Sequence, residues 1–278
     1  MAYRAILVHV PLGNAKVQVE LAAALAKESG AHLTGLGTLN EVALLRNVRQ
    51  NPFVRLEPAK VEEFIQAEYK EAALAEKQFN AIAERAGVAH DWTTGEGDAA
   101  DLIIHACRLQ DLAVVEQCGD PSDLLWGPAV QLALSGHAAL IVPRSWPSPE
   151  FGHRVLIAWN GSAQSAAAIR RALPLLRRAT YVPVLLGHSR AVFPVAMRMP
   201  PLDPVSYLRH QGIAAEVRQL DATDADAGEA IRKLAKEEKI DLIVMGAFGR
   251  SRFREWILGG ATRHVLEKMT VPVFMAHQ

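Results

Sequence analysis

The chain has only two cysteines in 278 residues, Cys107 and Cys118. Neither sits at a thiolate metal spacing, and so few thiols in a chain able to bury a core fit a reducing compartment. Long apolar runs are also missing. No segment reaches the length needed to cross a bilayer, and "MAYRAILVHV" enters a strand-like run without the basic segment and cleavage site of a secretory leader. These absences predict a cytoplasmic protein with no membrane partner. Nor does either charge dominate: 30 Lys+Arg face 30 Asp+Glu. With no global field to gather a polyanion, a nucleic-acid partner is not expected. The ten histidines include no HExxH pair and no Cys/His cluster at zinc spacing, so no metal site is read. No P-loop, no GxGxxG fingerprint, no GxSxG elbow and no SGGxDS or HIGH signature occurs.

What is present is alternation. Strand-like "AILVHV" (Ala5–Val10) is followed by helical "KVQVELAAALAKESG" (Lys16–Gly30), which ends on a glycine. "HLTGLG" reads as a strand, Val61–Ala86 as a helix, and "DLAVVE" and "AALIVP" as two more strands with helical material between them. "PRSWPSPEFGH" (Pro143–His153) reads as a linker. The order then restarts with strand "RVLIAW", helix "SAQSAAAIRRALPLLRRA", strands "YVPVLLG" and "AEVRQL", helix "DAGEAIRKLAKEEK", and strands "DLIVMG" and "VPVFMA". "QDLAVVEQCG" lies on "IDLIVMGAFG", which sets Asp111 opposite Asp241, Glu116 opposite Gly246 and Gly119 opposite Gly249.

Such internal duplication fixes the fold class: α/β, with two tandem doubly wound parallel-sheet domains, Rossmann-like, over residues 1–144 and 153–278. Continuously apolar strands suit parallel sheets covered on both faces. Ligands of such sheets bind beyond the carboxyl ends of the strands, where the strand order reverses. "VMGAFG" and "AWNGS" would both lie there.

In "DLIVMGAFGRSRFREWILGGATRHVLEK" (Asp241–Lys268), Gly246 and Gly249 can turn the backbone and offer N–H groups to a phosphate. The pair Gly259–Gly260 opens a helix whose free amides suit an anion, with Thr262, Arg250, Arg252 and Arg254 nearby. The alternative is that the glycines only close tight turns. Gly246-x2-Gly249-x9-Gly259 between strand and helix resembles the nucleotide-binding signature of the universal stress protein family, and "RVLIAWNGSAQSAAAIRRAL" resembles that family's opening strand, turn and helix. The tandem halves resemble its two-domain members.

The resemblance implies an ATP-binding or AMP-binding fold, with magnesium arriving on the nucleotide, and no strongly established reaction. It also implies pairing of the two halves and a homodimer, often formed through the last strand. The adenine and ribose side would be lined by Ala158, Trp159, Asn160 and His188, and the phosphate side by Met245, Gly246, Gly249, Gly259, Gly260, Ala261 and Thr262. This chain departs from the family at Asn160, where an aspartate is usual, and at Gly260, where Ser or Thr often stands. The N-terminal half departs further, with Glu116 in place of a glycine and no glycine pair, and reads as a degenerate copy. The expected function is a nucleotide-binding stress-response or signalling module; a slow ATPase or phosphotransferase of the same fold and a non-nucleotide interaction scaffold are the alternatives. No catalytic residue is assigned. Asp224 or Asp226 reads as a helix cap, Ser162 and Ser165 likewise, and His9 as an interior or rim histidine.

Overall fold

The computed structural model describes residues 2–13, 15–40, 42, 45, 57–119, 127–187, 201–219, 227–247 and 260–277. The strands are β1 (Ala5–Val10), β2 (His32–Leu39), β3 (His90–Glu96), β4 (Leu112–Glu116), β5 (Ala139–Val142), β6 (Val155–Trp159), β7 (Pro183–Leu186), β8 (Glu216–Gln219), β9 (Leu242–Gly246) and β10 (Val273–Ala276). The helices are α1 (Lys16–Ser29), α2 (Pro58–Ala86), α3 (Ala99–Ala106), α4 (Pro128–Leu134), α5 (Ala163–Arg171), α6 (Leu173–Leu176), α7 (Pro204–His210), α8 (Ala227–Glu237) and α9 (Gly260–Lys268).

These ten strands form one sheet in the order β3-β2-β1-β4-β5-β10-β9-β6-β7-β8. Each half therefore carries the same strand order, and the two meet last strand to last strand. Every pairing among them is parallel except that seam, where β5 and β10 run antiparallel with Phe274 opposite Leu140. The repeat extends to single residues. Asp111 Oδ2 accepts from the N–H groups of Arg4 and Ala5 at 2.6 and 3.1 Å. Asp241 accepts from those of Gly152, His153 and Arg154 at 2.9–3.0 Å. In both halves a carboxylate at the start of the fourth strand ties down the entry to the first.

Two apolar layers enclose the sheet. Side chains of α1, α2, α5, α6 and α7 pack on one face, and those of α3, α4, α8 and α9 on the other. The seam is also held by side chains: the Tyr3 hydroxyl donates to Arg171 O at 2.8 Å, and Gln117 Nε2 donates to Leu266 O of α9 at 2.9 Å. The segment expected as a linker is anchored, since Phe151 is buried beneath the Arg178 guanidinium, 4.7 Å from the ring centre.

Four elements differ from expectation. "SAQSAAAIRRALPLLRRA" is two helices, because Pro174 lacks the N–H that would continue α5 and its ring crowds the preceding turn. β3, α3 and α7 were not anticipated; β3 is a polar edge strand whose residues are mostly exposed. Among the described residues no helix is long and apolar enough to cross a membrane.

Candidate functional site

Strand order reverses between β1 and β4 in the first half and between β6 and β9 in the second. The repeat thus has two crevices beyond the carboxyl ends of its strands, and they are built differently.

In the C-terminal crevice Ala158 of β6 pairs in register with Met245 of β9, so the two expected groups of residues do converge. Met245 is buried and Ala158 partly so, both against the layer that holds α9. Strand alternation sends Trp159 to the opposite layer, so Ala158 and Trp159 do not form one lining surface. Asn160 follows at the strand tip, exposed. Gly260, Ala261 and Thr262 open α9, with Thr262 buried. His188, Gly249 and Gly259 lie outside the described residues, as do Arg250, Arg252, Arg254, Asp224 and Asp226.

The two described glycines of the stretch have different reasons to be glycine. At Gly246 a Cβ would come within 2.5 Å of Ser165 N and 2.7 Å of Gln164 C. What approaches the main chain there is the first turn of α5. Gly246 also has no positive φ, so the sharp turn expected from sequence is not its reason. At Gly260 a Cβ meets nothing within 4 Å among the described residues. That helix start is uncrowded, and no acidic side chain stands in its first turn. Unsatisfied N–H groups at such an end favour an anion. At the head of α5, Ser162 Oγ accepts from Ser165 N at 3.1 Å, and Ser165 Oγ turns back to Ser162 O at 2.8 Å. The serines therefore stay within the helix cap expected of them.

The N-terminal crevice is filled by its own side chains. Gln18 occupies in α1 the third helical position that Ser165 occupies in α5. It is buried, and its Nε2 donates to His9 O at 2.5 Å and approaches Val114 O at 3.4 Å, bridging β1 and β4 across the switch point. His9 stands where Ala158 stands in the other half, buried, with Nε2 3.1 Å from the Thr38 hydroxyl. Glu116, at the position of Gly246, pairs with Arg144 at 3.2 Å. Burial raises the Glu116 carboxyl above its ordinary range, opposed by the Arg144 charge. Gln18 was not singled out from sequence, one polar residue among several on α1, and neither were Gln164 and His277, 3.4 Å apart near the same rim as Gly246.

Burial also lowers the His9 pKa to about 4. A folded-state value below that of the unfolded chain means that stability is full above pH ~6.5 and falls as the unfolded chain takes up a proton that the folded one refuses. A loss of about 2 kcal/mol between pH 7 and pH 5 is expected from this residue, read by urea unfolding. His9→Gln should flatten that part of the profile.

Burial likewise pushes the Cys107 thiol up to about 12, which makes it a poor nucleophile. Among the described residues no group of three or more His, Cys, Asp or Glu side chains could hold a metal ion.

Known proteins share this duplicated, doubly wound α/β fold. Residues 152–277 match the model of the universal stress protein family. A universal stress protein of Synechocystis sp. is 45% identical over 47 residues, 17% of this chain and 16% of that protein. One from Methanocaldococcus jannaschii is 38% identical over 47 residues, 17% of this chain and 29% of that protein. The matched segments thus span less than a third of either relative. The crystal structure of a universal stress protein from Archaeoglobus fulgidus DSM 4304 superposes with a TM-score of 0.71 at 17% identity, covering 98% of this chain and 96% of that one. At that identity the likeness is one of fold, and it embraces both halves. Residues 152–277 thus carry a universal stress protein domain, and the likeness of fold extends over both halves.

Proposed function

We propose that the C-terminal crevice binds an adenine nucleotide, ATP or AMP, with the phosphates at the start of α9 and the base and sugar beyond β6. The protein would then act as a cytoplasmic stress-response or signalling module through its ligand-dependent shape. One observation carries the reading: where buried Gln18 and His9 fill the switch point in one copy, the matching positions in the other hold Ser165, whose hydroxyl stays within its own helix, and the small Ala158. Residues 1–144 are then a degenerate copy that pairs with the working copy, 153–278. Magnesium would be held through phosphate oxygens, as is usual for an ion that dehydrates reluctantly. Both edges of β10 are already paired, so a homodimer would use another surface than the last strand. Calorimetric titration with ATP and AMP, with and without magnesium, tests the reading. Uptake of one nucleotide per chain is expected; a folded protein that takes up none would leave the glycines to packing alone.

A further inference from the structure

The rim of the crevice offers an unusual choice of hydrogen-bonding groups to a sugar. After β6 the chain turns through Gly161, whose φ of +72° suits glycine. The Ser162 N–H then points back at the Asn160 side chain, 3.1 Å from Oδ1. An N–H can be accepted only by the amide oxygen, so the orientation of the Asn160 amide is fixed by this bond. Its oxygen is therefore aimed into the turn that seats Ser162 as the cap of α5. What Asn160 presents outward, exposed, is the –NH2 group, a donor.

Two described neighbours, Gly187 and Ser162, supply no carboxylate. Gly187, just past β7, has no side chain; its N–H donates to Trp159 O at 2.8 Å, and a Cβ on it would lie 4.0 Å from that of Asn160. The Ser162 hydroxyl is engaged with Ser165. A ribose diol binds best to a carboxylate, which accepts from both hydroxyls. At the outward –NH2 group a hydroxyl can only accept, leaving its proton to water. An anionic oxygen in the same place accepts from the amide as a charge-assisted bond, roughly twice as strong as a neutral one.

We propose that Asn160 makes this crevice indifferent to the 2′-hydroxyl and receptive to a phosphate on the sugar: it takes 2′-deoxyadenine nucleotides as readily as ribonucleotides, and prefers those carrying a 3′-phosphate. The inference rests on the nucleotide reading of the crevice.

The test is calorimetric titration of the full chain with AMP, 2′-deoxyAMP and adenosine 3′,5′-bisphosphate, repeated on Asn160→Asp. Aspartate keeps the turn, since one carboxylate oxygen still accepts from Ser162 N–H, and it frees the second oxygen; a matching thermal melt verifies folding. For the wild type, AMP and 2′-deoxyAMP should bind within about twofold of each other, and the bisphosphate about tenfold more tightly, one charge-assisted bond's worth. In Asn160→Asp, AMP should gain about tenfold over 2′-deoxyAMP, and the bisphosphate should fall below AMP. A wild type that already favours AMP tenfold over its deoxy form, or an Asn160→Asp protein with unchanged ratios, overturns the proposal while leaving the nucleotide site standing. Binding of none of the three to folded wild type overturns the nucleotide reading itself, and this proposal with it.

Discussion

Phe274→Ala should lower the stability of the whole chain by about 4 kcal/mol, the usual cost of deleting a fully buried phenylalanine. Phe274 is 0% exposed and sits at the middle of the seam, with Val244 of β9 on one side and Leu140 of β5 on the other. The cavity would open where the two copies share their core, and the sheet hydrogen bonds to either side leave little room for collapse. Because β5 and β10 each belong to a different half, the loss should appear in both at once. Urea unfolding followed by tryptophan fluorescence would show it, since Trp92 and Trp159 report on opposite halves. Both signals should shift to the same lower midpoint. A loss below about 1 kcal/mol, or a shift confined to one half, would mean that the seam is not packed as described.

Gly246→Ala and Gly260→Ala should move stability in opposite directions, although both glycines belong to one sequence signature. At Gly246 the added methyl would meet backbone atoms of α5 at 2.5 and 2.7 Å, which no side-chain rotation can relieve. Overpacking of this kind costs about 1–3 kcal/mol, and rigid backbone places it at the upper end. At Gly260, at a helix start, no described atom would lie within 4 Å of the methyl, and φ is not positive. Alanine there should be neutral or stabilising by up to about 1 kcal/mol, by restricting the unfolded chain. Thermal unfolding of the two variants checks this. Equal effects would show that the glycine pattern acts as one element, contrary to the packing around each.

That contrast marks what could be read from the sequence. The glycines were legible, but not what approaches them, because the closeness of α5 to Gly246 is a tertiary contact. The duplication was legible because "QDLAVVEQCG" and "IDLIVMGAFG" share one pattern, in which Asp111 and Asp241 each open an apolar strand. β3 was hidden: an edge strand that packs on one side carries His90, Asp91 and Thr94 where a buried strand would carry valines. The α5–α6 break was available in Pro174 and was passed over because apolar spacing runs through it. Gln18 could not have been weighed from sequence, since an amide on a helix reads as solvated until two strand carbonyls are brought over it. Ala158 and Trp159 were adjacent in sequence and so were grouped, yet the period of a strand parts them.

The central claim, one nucleotide held at the head of α9, is tested most directly by titrating the wild type beside Gly260→Asp. An aspartate at a helix start complements the dipole and should leave stability unchanged or raised by about 0.3–1 kcal/mol. Its charge would stand where the phosphates belong. One ATP or AMP should bind per wild-type chain, and binding should be at least tenfold weaker in a Gly260→Asp protein that melts no lower. Undiminished binding in the variant, or two nucleotides per chain, would contradict the claim.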